Sequence, residues 1–390
     1  MGGSTLDNAV PPRQPVIVCL DKFRGSISAA EASDALAEGM KAADPTLMVS
    51  SSPIADGGEG TAEVLKSAGY KAVTARVTGP TGQLVDAELA FRSGRAVVEL
   101  AQAAGLHLSD RDAVHASTYG VGEMIRAALD LGCREIVLAI GGSATTDGGA
   151  GMLQALGARL LDREGAELPT GGGELVRLAS VDMSGIDPRL AETEFGLATD
   201  VSNPLLGSEG AAAVFAPQKG ASPRDVSLLE AALGRLADLM EDELGVRVRE
   251  RSGAGAAGGT GFAALCLGAV PVSGVQFILE ETGVSERLQS ASTVVVGEGS
   301  LDSQSLQGKA PIAIARLAQS HRIPVLAVAG RIRLTPEAML NVGIRSWYAL
   351  VDDADNELDA MHRAPELLRA LGMRLATLDL ASDTDSSRQS

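Results

Sequence analysis

Apolar residues along the chain gather in short β-branched runs, and most of these lead into stretches with helical spacing. Pro15-Val-Ile-Val-Cys-Leu20 is apolar throughout, the pattern of a strand buried on both faces. Ser28-Ala-Ala-Glu31 then has the spacing of a capping box, and Ala32, Leu36, Gly39 and Met40 share one helical face beyond it. Leu47–Ile54 reads as a second strand, followed by Ala55-Asp-Gly-Gly-Glu-Gly60 and a helix beginning near Thr61. From Lys71 to Leu100 the texture changes. Val73–Val77, Val85–Phe91 and Arg95–Leu100 are extended runs parted by Gly79-Pro-Thr-Gly82 and Ser93-Gly94, which predicts an antiparallel insert. The strand–helix rhythm resumes with helix Val121–Leu131, strand Glu135–Ile140, loop Gly141–Gly149 and helix Ala150–Leu160. A long helix is predicted over Pro223–Leu244, with Ser222 as N-cap and Pro223 in its first turn. Near the end, strands Thr293–Val296, Pro324–Ala329 and Arg345–Leu350 alternate with helices Pro311–Ser320, Pro336–Asn341 and Leu358–Leu378.

The expected fold class is α/β with two α/β domains. One carries a parallel sheet built from both chain ends, residues 15–77 and 291–380, and the other is a mixed α/β insert over residues 78–290. Residues 1–14 and 383–390, rich in Gly, Ser, Pro and Asp, are expected to be disordered.

Charge and composition narrow the function. With 33 basic and 50 acidic residues the formal charge is −17, which argues against nucleic-acid partners and against anionic membrane surfaces. Only ten residues are aromatic, too few for base-stacking platforms. No run approaches the ~20 apolar residues of a membrane span. Cys19, Cys133 and Cys266 are widely spaced beside apolar neighbours, and no secretory leader precedes them; reduced packing cysteines in a cytoplasmic protein are expected. Glycine is in excess, 46 of 390 residues against a typical ~7%.

Much of that glycine lies in loops at predicted strand ends, where open α/β sheets hold ligands. Asp21-Lys-Phe-Arg-Gly-Ser26 sets Lys22 and Arg24 beside a helix start, which suits a carboxylate or phosphate. Asp56-Gly-Gly-Glu-Gly-Thr61 brings two carboxylates within four residues, fit for a hydroxylated ligand or Mg²⁺. Gly141-Gly-Ser-Ala-Thr-Thr-Asp-Gly-Gly149 bares backbone N–H groups that can cradle phosphate without a lysine. Gly253-Ala-Gly-Ala-Ala-Gly-Gly-Thr-Gly261 suits a hinge or a nucleotide loop. The segment from Gly297 to Pro311 offers Glu298, Asp302 and Lys309 after a strand, and Asp200 follows another short strand before a turn at Asn203-Pro204. Glycine cradles without a GxGxxG or Walker pattern, scattered carboxylates and single loop cations point to phosphoryl transfer, which needs positioning, Mg²⁺ and a base.

Taken together, the segments Asp21–Ser26, Ile54–Thr61, Thr118–Glu123, Gly141–Gly151, Asp200–Gly207, Pro217-Gln-Lys-Gly220, Gly297–Asp302 and Gly308–Pro311 resemble, in order, the bacterial glycerate kinase family that is unrelated to P-loop kinases. The likeness runs from about Pro15 to past Gly330. It implies a flavodoxin-like or Rossmann-like parallel sheet made from both ends, ATP and Mg²⁺ as cofactors, glycerate as the small-molecule substrate, and phosphorylation at the 2-hydroxyl; a homodimer stays open. One departure is Arg24, where the family usually has lysine; arginine keeps the charge and grips a carboxylate bidentately. The expected roles follow. Lys22, Arg24 and Ser26 hold the glycerate carboxylate, and Gly57, Gly58 and Glu59 with Asp56 orient hydroxyls. Asp200 is the first candidate base and Asp56 the second. Gly141, Gly142, Ser143, Thr145, Thr146, Gly255, Gly258, Gly259 and Glu298 meet the nucleotide, Lys309 neutralises the transferred group, and Asp302 is the candidate metal ligand. A kinase for a related sugar acid and a non-catalytic anion sensor are the alternatives.

Overall fold

The structure is a computed structural model that describes residues 14–378. The disorder expected of residues 1–14 and 383–390 lies, apart from Gln14, outside the described residues. Counting α-helices of six residues or more, the chain enters through β1 (Val16–Leu20), α1 (Ala29–Ala43) and β2 (Val49–Ser51). Next come α2 (Thr61–Ser67), β3 (Lys71–Thr78), β4 (Leu84–Arg92), β5 (Arg95–Glu99), α3 (Tyr119–Asp130), β6 (Glu135–Ala139) and α4 (Ala150–Ala155). β7 (Arg159–Leu161), β8 (Ser180–Asp182), β9 (Glu194–Ala198), α5 (Pro223–Leu244), α6 (Thr260–Cys266), β10 (Val270–Val272) and α7 (Gly274–Glu281) follow. The last run is β11 (Thr293–Leu301), α8 (Ala310–Ser320), β12 (Val325–Ile332), α9 (Pro336–Asn341), β13 (Ile344–Ala349), α10 (Glu357–His362) and α11 (Ala364–Ala376).

Two compact units result, one from the chain up to Ile54 together with Gly283 onward, the other from Ala55–Thr282. The expected breaks stood at 77/78 and 290/291, whereas these units part at 54/55 and 282/283. The reason is local: β3 pairs with β4 over its whole length, Lys71 opposite Phe91 through Thr78 opposite Leu84, so α2 and β3 go with the insert.

In the unit formed from both chain ends, five strands lie in the order β13-β12-β11-β1-β2, all parallel. β1 is buried at every position, as its unbroken apolar run requires. Val16, Val18 and Leu20 pack with Leu36 and Met40 of α1 and with Leu368 and Leu371 of α11. Ser28 caps α1 through the expected capping box with Glu31. The strand order turns between β1 and β11: from β1 the chain steps to β2 on one side, and returns on the other. The loops leaving these two strands therefore flank the position where parallel sheets bind ligands.

In the Ala55–Thr282 unit six strands run β10-β9-β6-β5-β4-β3; β10, β9, β6 and β5 are parallel, and β4 and β3 form the antiparallel insert. Leu89, Val98, Ile136, Leu138, Leu153, Leu233 and Phe262 share one core with helices α3 to α6. Ser222 and Asp225 form a capping box at α5, with Pro223 in its first turn. Two helices are shorter than expected. α4 stops at Ala155 ahead of Gly157, whose φ of +110° breaks the helical path. The stretch predicted as Leu358–Leu378 is two helices, because Pro365 sits in the first turn of α11 and has no N–H to continue the ladder of α10. The three-residue strands β7, β8 and β10 were not anticipated; none has enough residues to show alternation. Among the described residues no helix is long and apolar enough to cross a membrane, and the three cysteines are buried and unpaired.

Candidate functional site

The unit built from both chain ends sets two of the expected loops side by side. Asp21 N–H donates to Gly297 O at 2.8 Å, so the Asp21–Ser26 loop leaves β1 next to the segment Gly297–Asp302 of β11. A Cβ on Gly299 would come within 3.2 Å of Phe23 Cα and Arg24 N, so the backbones of the two segments pass closely. Lys22 is half-buried and Arg24 exposed. The Ser26 hydroxyl donates to Met361 O, which ties the loop to α10. On β11, Glu298 is buried and pairs through Oε2 with Lys309 Nζ at 2.8 Å, while its Oε1 is buried without a partner. Asp302 accepts from Gln304 N–H at 2.9 Å and from the Ser300 hydroxyl at 3.3 Å, an Asx-type turn. Thus Lys22, Arg24, Ser26, Asp302 and Lys309 lie in segments leaving two adjacent parallel strands, and Glu298, expected in a loop, lies within β11, which continues to Leu301 through its pairing with β12.

The second set gathers at the C-terminal ends of β5, β6 and β9. Asp200, two residues past β9, accepts from the Ser273 hydroxyl at 2.7 Å and from Val275 N–H at 3.2 Å, at the start of α7. Partial removal from water raises its proton affinity above the ordinary carboxylate range; the Ser273 bond opposes this and the charge of nearby Asp56 adds to it. Gly274 lies between the two acids, in reach of both Asp56 O and Asp200 Oδ2. Asp56 itself accepts from Gly58 N–H at 3.1 Å. Glu99, buried at the end of β5, accepts from Gly60 and Ala62 N–H at 3.1 and 2.9 Å and thereby anchors the start of α2 and the loop carrying Asp56 to Glu59. Neither Asp56 nor Asp200 forms an ion pair among the described residues.

The Gly141–Thr146 loop follows β6. Gly141 packs backbone to backbone on the Asp56 loop: its N–H donates to Gly57 O at 3.3 Å, and a Cβ there would stand 2.4 Å from Gly58 Cα. Ala144 N–H is taken up by Ala104 O at 2.8 Å. Gly142 is exposed, whereas Ser143, Thr145 and Thr146 are buried, and the Thr145 and Thr146 hydroxyls have no partner. Gly255, Gly258 and Gly259 are all buried; Gly258 and Gly259 pack on Thr145, Thr146 and Gly148, while Gly255 packs on Asn203 and Pro204. Gly258 has φ +65°, its carbonyl accepts from Gly148 N–H at 3.0 Å, and a Cβ would lie 2.0 Å from Thr145 O. Close packing inside this unit accounts for that glycine-rich loop.

Beneath the Gly141–Thr146 loop lies a lysine that the loop pattern alone did not call for. Lys219 is 1% exposed, and its ammonium donates to Ser143 Oγ at 2.8 Å and to Thr145 O at 2.5 Å. Burial pulls its pKa down to about 7, with the charge of Asp147 opposing. Asp147 is fully buried, accepts from Thr118 N–H and Oγ1–H at 2.8 Å each and from Gly149 and Gly151 N–H, and is shifted upward by desolvation. Lys219, Asp147, Glu99 and Ser273 were not among the expected site residues. The signal for the first two was present, in Pro217-Gln-Lys-Gly220 and Gly141–Gly149, but burial of a charge leaves no mark on sequence pattern.

The donor set fits a nucleotide's phosphates: an exposed glycine, two buried hydroxyls without partners and a buried ammonium line one loop. No group of three or more His, Cys, Asp or Glu side chains able to hold a metal exists among the described residues.

Two α/β units with glycine-bearing loops at strand ends, carboxylates poised beside them and no Rossmann or Walker fingerprint define a small-molecule kinase of non-P-loop type. The sequence model of the glycerate kinase family matches residues 16–379. The glycerate kinase of Bacillus subtilis strain 168 is 42% identical over 368 residues, 93% of this chain and 96% of that protein. The glycerate 2-kinase of Escherichia coli K12 is 41% identical over 324 residues, 81% of this chain and 85% of that one. A crystal structure from Salmonella typhimurium LT2, described as a candidate glycerate kinase 2, superposes with a TM-score of 0.80 at 37% identity, covering 93% of this chain and 97% of that one. The chain belongs to the glycerate kinase family.

Proposed function

We propose that this protein transfers the terminal phosphoryl group of ATP to the 2-hydroxyl of glycerate, giving 2-phosphoglycerate and ADP. Family membership supports glycerate as acceptor, and the E. coli relative's name supports the 2-position. The observation that carries the chemistry is the pair Asp200 and Asp56. Asp200 is held by a hydroxyl and an N–H rather than by a cation, and its proton affinity is raised. A carboxylate so held accepts a proton readily. As the glycerate oxygen bonds to the γ-phosphorus, its proton passes to Asp200, the bridging P–O bond breaks, and ADP leaves with the bonding pair.

In this reading Asp56 fixes the Gly57–Glu59 loop, and Gly142, Thr145 and Thr146 receive phosphate oxygens. Lys22 and Arg24 supply charge for a carboxylate, and the unpartnered Glu298 Oε1 accepts from a ligand hydroxyl while Lys309 holds the other oxygen. Mg²⁺, when bound, neutralises phosphate charge; Asp302 is the carboxylate proposed for it. The cytoplasm, where ATP is supplied, is the compartment this reading assigns.

The test is purified protein with D-glycerate, ATP and Mg²⁺, ADP release being followed by a coupled assay and the product by phosphorus NMR. ADP formation with 2-phosphoglycerate is expected. No turnover above background would overturn the reading, and 3-phosphoglycerate as product would overturn the 2-hydroxyl assignment while leaving the kinase intact.

A further inference from the structure

Lys219 is among the largest fully buried side chains of the molecule, and it is a cation. Removing an ammonium from water costs several kcal/mol unless its surroundings compensate. Its compensation here is made of dipoles: Ser143 Oγ at 2.8 Å and Thr145 O at 2.5 Å. No carboxylate comes within ion-pairing distance of it among the described residues. Asp147 is the charged group that acts on it from the surrounding elements. Yet the Asp147 oxygens are already taken by Thr118, Gly149 and Gly151. A clamp between two loops requires hydrogen-bond donors and has no need of a charge. Positive charge solvated by dipoles and not ion-paired to any carboxylate raises the local potential for an anion.

A second observation points the same way. The Thr145 and Thr146 hydroxyls, on the segment Lys219 grips, are buried without partners. Buried hydroxyls in proteins nearly always have one, so these two await an acceptor. A phosphate oxygen is an acceptor that also answers the charge.

We infer that Lys219 is a positioning residue for the nucleotide: it clamps the Gly141–Thr146 segment to the turn Pro217–Lys219 and gives that segment the positive charge that holds a phosphate chain on it. This rests on the proposed assignment of that loop to the nucleotide's phosphates. It makes Lys219 specific to the phosphate donor, with no part in holding glycerate.

The experiment is calorimetric titration of ADP, and separately of glycerate, into wild type, Lys219→Met, Lys219→Gln and Lys219→Arg, with melting temperature as a check of folding. Lys219→Gln keeps donors for Ser143 and Thr145 while removing the charge. The expected result is a 10- to 100-fold loss of ADP affinity in Met and Gln, partial recovery in Arg, and glycerate affinity within about twofold of wild type. The ADP affinity gap between wild type and Gln should shrink as pH rises from 6 to 9, because Lys219 loses its proton across that range; taking the difference cancels the nucleotide's own titration. Should Lys219→Met fail to fold, the Gln variant decides. Wild-type ADP affinity in a folded Gln variant, or equal losses for ADP and glycerate, would overturn the inference, as would a wild type that binds no ADP. If wild type binds ADP but does not phosphorylate glycerate, the proposed reaction fails while the ADP comparison still reads out Lys219.

Discussion

Each unit holds a lysine against a segment that follows a parallel strand, and the two are held in opposite ways. Lys309 is one-third exposed and ion-paired at 2.8 Å with buried Glu298. Lys219 is fully buried and held by a hydroxyl and a carbonyl. The contrast extends to the acids: Glu298 has a cation on it, while Asp200 has Ser273 and Val275. A charge met by an opposite charge fixes geometry. A charge met only by dipoles in a half-dry place has its proton affinity moved toward neutrality, which is the property proton transfer and anion binding use.

The strongest challenge to that contrast is Asp200→Asn. The amide oxygen can still accept from Val275 N–H while its NH2 donates to the Ser273 hydroxyl oxygen, so the start of α7 should keep its shape. What is lost is the proton acceptor, and kcat should fall by roughly 10²- to 10⁴-fold with KM for glycerate little changed. Steady-state kinetics on a variant of wild-type melting temperature checks this. Near-normal turnover there, with Asp56→Asn inactive, would move the base to Asp56.

Next in size is Gly258→Ala. Its φ of +65° disfavours a side chain, and the added Cβ would meet Thr145 O at 2.0 Å. A stability loss of roughly 2–4 kcal/mol is expected from strain and overpacking together, measured by urea unfolding of the intact chain. A variant of unchanged midpoint would show that the loop has room at this position and that close packing does not require glycine there.

That loop marks the limit of what sequence discloses. β1, the capping box at Ser28, the N-cap Ser222 and the whole helix Pro223–Leu244 were legible, because periodicity and caps are local properties. The chemistry-bearing loops after β1, β6 and β9 were legible as loops for the same reason; the loop expected from Gly297 instead begins with five more residues of β11, which runs to Leu301 through its pairing with β12. What local pattern could not tell was which glycines face ligand and which face backbone. Gly142 is exposed, while Gly141 touches Gly58, eighty-three positions away in sequence, and Gly258 touches Thr145. Lys219 was passed over for the same cause: a lysine in a Pro-Gln-Lys-Gly turn reads as solvated, and only the fold buries it. The antiparallel run of β3 and β4 was expected, but the domain edge was drawn after β3 and not before α2, because the strand–helix rhythm of β2 and α2 gives no local sign that α2 and β3 go with β4.

Third is Lys309→Met. Removing the cation leaves Glu298 buried with neither oxygen paired, a loss of about 2–3 kcal/mol after allowing for the partial exposure of Lys309. The double variant with Glu298→Gln should recover most of this, since the stranded charge is gone. Urea unfolding of the three proteins gives the coupling directly; strict additivity would mean that the pair is no more than a surface contact.

The smallest effect, and the one of opposite character, is Lys219→Met read against pH. The lysine's pKa falls from the ordinary 10.5 to about 7 on folding. Between those values the unfolded chain binds more protons than the folded one, so wild-type stability gains from this group as pH rises from about 7 toward 10.5. Below 7 both states are protonated, and the folded protein carries the full penalty of a buried charge. Lys219→Met has no such group. Wild type should therefore gain on the variant by roughly 2 kcal/mol between pH 7 and pH 9, with Lys219→Met comparing best at pH 6, where Lys309→Met is still clearly destabilised. Urea midpoints of both variants at pH 6, 7 and 9 test this. If the gap between wild type and Lys219→Met stays constant across the series, the dipoles of Ser143 and Thr145 compensate the ammonium as fully as Glu298 compensates Lys309, and the distinction between the two lysines falls.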